Sequence, residues 1–251
     1  MHFGYQKQED FDIIENDRDL VFKALKEEAV FYLPKNFFKP LELEYIWAEI
    51  FTSSHANPHS YERDDIKIDE GDLVLDAGAC EGFFTYYALK KKASRILAIE
   101  PEAQLADFLR KTYAQDERVE VLDYALSERI GNGRLMNNNE YGCISHLDEH
   151  GSLEIKTTSV DAMITKLGLE RLDFIKMDIE DEEVKAIKGA TETLRKFRPK
   201  LSIAVYHSYE NAIQIKQFIK RHAPKYKVWF GGCYLHEKPA RPYMLYAVPE
   251  S

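Results

Sequence analysis

Cysteine is scarce in this chain. The three residues Cys80, Cys143 and Cys233 are widely spaced and odd in number. No C-x-x-C pair or cysteine/histidine cluster accompanies them, so neither a zinc site nor a disulfide framework is expected, and a reducing compartment is. Long basic runs are also missing. Lys and Arg total 34 against 43 Asp and Glu, a formal charge of −9. That balance argues against a nucleic-acid partner held mainly by its phosphates. No apolar stretch approaches bilayer-spanning length, and the opening MHFGYQKQEDFD lacks the apolar core of a signal peptide. The expectation is a cytoplasmic protein with no membrane partner. Internal repeats and low-complexity segments are absent as well.

What is present is a 251-residue chain with 45% apolar residues, enough for one large core or one core plus an appendage. Residues 1–60 read as a helical extension. Asp17 is placed to cap a helix carrying Leu20, Val21, Ala24, Leu25 and Ala29. Pro40 suits the first turn of a second, with Leu43, Ile46, Trp47 and Ile50 on one face. SSHANPHS, 53–60, reads as a polar connector. From 61 onward, short apolar strands alternate with amphipathic helices. Strands are predicted at 72–77, 95–99, 119–124, 172–177, 200–206, 226–230 and 243–248, with helices at 82–92, 102–114, 159–168, 182–197 and 209–222. The Gly/Asn-rich GNGRLMNNNEYG precedes two extra short strands near 143–147 and 153–158. This alternation predicts an α/β domain over 61–251, Rossmann-like, with a mostly parallel sheet covered by helices on both faces.

The first strand runs into DAGACEG, 76–82. Ligands of open α/β sheets sit beyond the carboxyl ends of the strands, where strand order reverses. A dinucleotide fingerprint counted from Gly78 requires glycines at 80 and 83, where this chain has Cys80 and Phe83. No Gly-Lys-Ser/Thr follows, so a P-loop is excluded. The remaining pattern, D-x-G-x-x-x-G over Asp76, Gly78 and Gly82, suits a ligand with an amino-acid end and a nucleoside end but no pyrophosphate. S-adenosylmethionine is the common metabolite of that shape. Glu100, ending the strand of ILAIEPE, is placed to accept hydrogen bonds from both ribose hydroxyls. That acid supports a nucleoside without choosing between cofactors; the glycines make the choice. The plainer alternative is two turn glycines and a surface acid.

Over roughly 70–206 the chain resembles the FkbM-type methyltransferases. The resemblance rests on DAGACEGFFT, AIEPE, YALSERIGNG, SVDAMI, DFIKMDIEDEE and IKGATETLRKFRP. Two positions depart from the family pattern: Cys80 stands for the usual Asn, and Asp181 for the Gly of D-x-E-G-x-E. The resemblance implies a class I methyltransferase fold, a seven-stranded sheet whose last strand is antiparallel, and an S-adenosylmethionine-dependent enzyme that methylates hydroxyls of sugars or secondary metabolites. It implies that Asp76, Gly78, Ala79, Cys80 and Gly82 form the methionine-side loop. Glu100 and Pro101 would hold the ribose, and Asp123, Tyr124 and Ala125 the adenine. Asp178 and Glu180 would stand near the sulfonium, at the mouth of the fourth strand.

An alcohol is a poor nucleophile while protonated, so a base is expected. VYHSYE places Tyr206 and His207 at the edge next to Asp178 and Glu180, and His207 titrates near neutrality. It is read either as that base or as a cap of the helix starting near Ser208. Asp178 is read as orienting cofactor or substrate rather than as the base. Asp181, Glu182 and Glu183 suit the first turn of the next helix. The donors Asp178, Glu180, Asp181 and His207 are also of the type that binds Mg2+, but no divalent metal is expected. Trp229, Tyr234, Tyr243 and Tyr246 read as packing of a last hairpin, with Tyr234 and His236 able to reach substrate. The N-terminal helices read as a lid over the acceptor pocket or a homodimer contact. Two other functions stand beside this one. The first is a nicotinamide-dependent oxidoreductase, opposed by the missing glycines. The second is a non-catalytic cofactor- or partner-binding module on the same fold.

Overall fold

The computed structural model describes residues 10–137, 145–147, 150–235 and 239–250; Cys143 and His236 lie outside them. The N-terminal segment is not a pair of helices. Strands β1 (Phe11–Glu15), β2 (Asp19–Ala24) and β3 (Ala29–Pro34) form an antiparallel meander. Leu20, Phe22 and Ala24 are buried and alternate with half-buried Val21 and Lys23, while Ala29, Phe31 and Leu33 do the same in β3. That is a period of two, in aromatic and β-branched residues that suit a pleated surface. Positions 20 and 24 satisfy a helical and a strand period alike, which is why the helical reading fails here. Helix α1 (Pro40–Phe51) does form, with Pro40 in its first turn and Leu43 and Trp47 buried.

This segment shares its core with residues later in the chain. Phe22, Phe31 and Trp47 pack around Phe83, with ring centroids 5.0, 4.8 and 5.1 Å away, and Leu105 and Leu109 close the cluster.

The next elements are β4 (Leu73–Ala77), α2 (Phe83–Lys90), β5 (Arg95–Ile99), α3 (Ala103–Thr112) and β6 (Val119–Leu122). A small four-stranded sheet then forms from β7 (Ala125–Leu126), β8 (Gly131–Asn137), β9 (Ser145–Leu147) and β10 (Leu153–Thr158). The chain continues through α4 (Val160–Lys166), β11 (Phe174–Met177), α5 (Glu183–Lys188), α6 (Thr191–Lys196), β12 (Lys200–Ala204), α7 (Tyr209–His222), β13 (Tyr226–Gly231) and β14 (Met244–Pro249). The helix predicted over 182–197 is divided at Gly189. A Cβ there would lie 2.4 Å from the Ser127 carbonyl oxygen, so the chain can pass only as glycine.

The main sheet has seven strands in the order β6-β5-β4-β11-β12-β14-β13. β14 runs antiparallel to both neighbours, and the ladders from β6 to β12 are all parallel. This is the predicted α/β class, including the reversed last strand. The order reverses between β4 and β11, so the carboxyl ends of these two strands open the crevice in which such sheets bind ligands. No helix among the described residues is long and apolar enough to cross a membrane.

Candidate active site

β4 and β11 are adjacent and parallel, with Ala77 beside Met177. The loop after β4 therefore meets the loop after β11. Gly78 has φ +77°, and a Cβ on it would lie 1.9 Å from the Asp178 carbonyl oxygen. Only glycine allows both the conformation and the approach. The Gly78 and Ala79 amides both donate to the Ile99 carbonyl at 3.0 Å, and the Cys80 amide donates to Glu100 Oε2 at 3.0 Å. Glu100 Oε1 accepts from the Glu102 amide at 2.9 Å. The loop is thus stitched to the end of β5.

Asp76, expected in the ligand loop, turns inward instead. It is fully buried, 3.1 Å from Lys176 Nζ, and accepts from Thr85 Oγ1 at 2.7 Å. Lys176 Nζ also donates to the Gly78 carbonyl at 2.6 Å. Burial works against this ammonium, but the charges of Asp76 and Asp178 outweigh it and raise its pKa. The pair is an internal brace under the loop.

Above the loop lies a cavity of about 270 Å3. Gly78, Cys80, Glu100, Pro101, Tyr124, Ala125, Asp178 and Glu180 line it, as the sequence suggests they should. Ala79 is buried behind the loop, and the Gly82 carbonyl accepts from the Tyr113 hydroxyl at 2.5 Å. Asp123 stands outside the cavity with its carboxylate 3.4 Å from Arg110, so of the three residues expected near the adenine only Tyr124 and Ala125 line the cavity. Glu81 and Glu100 also line the cavity; burial pushes both carboxyls up to about 7, against the pull of their backbone hydrogen bonds.

The far wall is built around Asp178. Its Oδ2 accepts from the Tyr61 hydroxyl at 2.8 Å and faces His59 Nε2 at 3.6 Å. His59 Nδ1 lies 2.6 Å from Glu49 Oε1 on α1. Burial lowers the His59 pKa, but Glu49 and Asp178 together raise it to about 10. These contacts hold the Asp178 carboxyl well below the usual range despite its burial. On the other side, His207 Nε2 is 3.2 Å from Glu180 Oε2 and 3.8 Å from Asp178 Oδ1, while Nδ1 is 3.7 Å from Glu183 Oε1. The three carboxylates overcome burial and raise His207 to about 9. His207 does not cap α7. Ser208 does, its Oγ accepting from the Asn211 amide at 3.3 Å. Glu183 does lie in the first turn of α5, as expected, but it is buried: it is 1% exposed and accepts from the Ile179 amide at 2.8 Å.

Sequence reasoning missed His59, Tyr61, Glu49, Glu81 and Lys176. The first two sit in or beside the segment read as a connector, and Glu49 lies on α1. The signal available was weak: a histidine and a tyrosine following a turn-forming Asn-Pro, ahead of the first strand of the main sheet. Tyr243 and Tyr206 stack on and against His59 at 5.0 and 5.2 Å, and Tyr234 stacks on Tyr206 at 5.7 Å. The last hairpin thus packs behind His59, and Tyr206 lines the cavity while Tyr234 stands behind it.

A reversed seventh strand, a glycine loop after the first and an acid ending the second define the class I methyltransferase fold. Residues 76–228 match the family described as Methyltransferase FkbM domain, and the chain belongs to that family. It is 26% identical over 147 residues to the 2-O-methyltransferase NoeI of Sinorhizobium fredii (strain NBRC 101917 / NGR234), covering 50% of this chain and 60% of that protein. It is 25% identical over 189 residues to Methyltransferase sdnD of Sordaria araneosa, covering 61% of this chain and 70% of that protein. A solved methyltransferase FkbM from Methylobacillus flagellatus KT superposes with a TM-score of 0.56 at 21% identity, over 80% of this chain and 47% of the other. The match therefore spans about 60% of the first curated relative and under half of the solved structure.

Proposed function

We propose that this chain transfers a methyl group from S-adenosylmethionine to a hydroxyl of a small molecule or sugar. The observation that carries the reading is the meeting of the glycine loop and Glu100 in one cavity whose charge suits a cation. Six acids line it (Glu49, Glu81, Glu100, Asp178, Glu180 and Glu182) against His59 and Lys176. Lys176 is committed to Asp76 and the loop carbonyls. The amides of Gly78, Ala79, Cys80 and Gly82 are all spent within the protein, so no nest of donors is left for a pyrophosphate. A sulfonium and an ammonium fit such a cavity, and a dinucleotide does not.

Glu100 would hold the ribose hydroxyls, Glu81 and Asp178 the cationic end, and Ile99, Tyr124, Ala125 and Leu126 the adenine face. S-adenosylmethionine supplies the electrophilic methyl group. The chain's own residues then place the acceptor oxygen in line, and positioning carries much of the rate. Asp178, held ionised by its neighbours, and Glu180 face the acceptor and stabilise the positive charge growing on its oxygen, whose proton is lost to solvent. While no ion is bound, the three carboxylates raise His207 to about 9, and it acts by holding Asp178 and Glu180 in place rather than as a base, one of its two readings from the sequence. Ile46, Glu49 and Ile50 of α1 make the acceptor-side wall, so the N-terminal segment works as a fixed cover over the catalytic domain. The test is incubation with methyl-labelled S-adenosylmethionine and a panel of sugars, phenols and amines. The reading predicts label in a hydroxyl compound; label only in amines would overturn the acceptor class.

A further inference from the structure

Three ligand-type atoms converge on the acceptor wall without being joined by hydrogen bonds. Tyr61 engages Asp178 Oδ2, but Oδ1 makes no hydrogen bond among the described residues. His207 Nε2, at 3.8 Å from that Oδ1 and 3.2 Å from Glu180 Oε2, is close enough to both for charge attraction but makes no hydrogen bond to either. The His207 side chain is only 10% exposed, so its orphaned nitrogens are costly. A buried polar group left unpaired costs about 1–3 kcal/mol, and buried groups without partners call for an explanation.

We propose that Asp178, Glu180 and His207 bind one divalent cation of the Mg2+ or Mn2+ type, with its remaining coordination positions open to the cavity. One oxygen of each acid and one imidazole nitrogen lie within 4.8 Å of one another. A cation about 2.1 Å from each ligand sets neighbouring ligand atoms about 3.0 Å apart, so the observed separations close by rotamer adjustment alone. The two carboxylates suit Mn2+ and Mg2+, and the absence of a thiolate ligand argues against a site built for soft metals. The remaining ring nitrogen, Nδ1, faces the buried Glu183 carboxylate at 3.7 Å, where an orienting partner of a metal-bound histidine belongs. Asp178 and Glu180 precede α5 and line the cavity, so a helix-capping role does not account for them. The site departs from the expectation that no metal is used. An ion here would seat the acceptor oxygen, a role that rests on the hydroxyl-methylation reading; its binding does not.

The experiment is a MnCl2 titration of the full chain without S-adenosylmethionine, read by loss of the free-ion electron paramagnetic resonance signal. The expected result is one site per chain, competed by MgCl2. Glu180→Gln and His207→Gln should each weaken it about 10–100-fold or more, while Glu15→Gln, at an exposed position of β1 that does not line the cavity, should not. Should His207→Gln fail to fold, Glu180→Gln on a half-buried side chain decides the matter. Binding no tighter than millimolar, or equal binding in wild type and Glu180→Gln, overturns the proposal. Methyl transfer that persists in chelator with no Mn2+ bound overturns the ion and leaves the methylation reading standing. Tight Mn2+ binding with no methyl transfer does the reverse.

Discussion

The Tyr61 hydroxyl donates to Asp178 Oδ2 at 2.8 Å across 117 residues of chain, tying the segment before the first sheet strand to the acid after the fourth. Tyr61→Phe keeps the ring packed on Phe84, 5.1 Å between centroids, and removes only the donor. A hydrogen bond to a charged group contributes about 1.5–3 kcal/mol, so unfolding free energy should fall by that amount. Urea denaturation of the two proteins checks this. Equal stability would mean that solvent replaces the bond.

Asp181 takes φ +74° where the family pattern has glycine. Asp181→Gly should be more stable than Asp181→Ala by about 1 kcal/mol, because both lose the same Asn211 hydrogen bond and only glycine is free of left-handed strain. Thermal melts of the pair measure the difference. Alanine as stable as glycine would show that the turn relaxes.

Gly78→Ala places a methyl group against the Asp178 carbonyl, whereas Gly168→Ala, at φ +60°, meets nothing within 4 Å. The second should cost about 1 kcal/mol of left-handed strain. The first should cost about 2–4 kcal/mol and abolish cofactor binding. Equal melting temperatures would contradict the close contact of the two loops.

Affinity for S-adenosylmethionine should depend on pH through Glu100 and Glu81, both raised by burial to about 7. Hydroxyl donors and a cationic ligand favour the carboxylate form, so affinity should rise from pH 5.5 through about 7 and then level off. Glu100→Gln should flatten the rise, leaving the part due to Glu81. The unliganded protein shows the opposite sign for these two acids. Their folded-state pKa values lie above the unfolded ones, so they favour folding while protonated and lose that contribution as pH climbs toward about 7. Isothermal titrations at a series of pH values check the first statement, and melts without ligand check the second.

Much of the sheet was legible because its strands are short, apolar and separated by amphipathic helices. β5 and α7 fall where the periodicity places them, and the DAGACEG loop and Glu100 meet in one cavity, as their places at neighbouring strand ends imply. The meander β1–β3 was not legible, since Leu20 and Ala24 fit two periods and only Phe22 and Phe31, packed on Phe83 from a later element, decide between them. Half of the acceptor wall was hidden for a similar reason. Asp178, Glu180 and His207 end sheet strands, a place where function is expected. His59 and Tyr61 lie outside the sheet and reach Asp178 only through the tertiary fold.

The most direct measurement of the central claim is calorimetric binding of S-adenosylmethionine, its demethylated product and NAD to wild type and Glu100→Ala. Both sulfur compounds should bind the wild type, and NAD should not. Glu100→Ala should weaken them by about 1.5–3 kcal/mol, the range for hydrogen bonds to a charged group. Tighter binding of NAD, or S-adenosylmethionine affinity unchanged by Glu100→Ala, would contradict the assignment of this cavity.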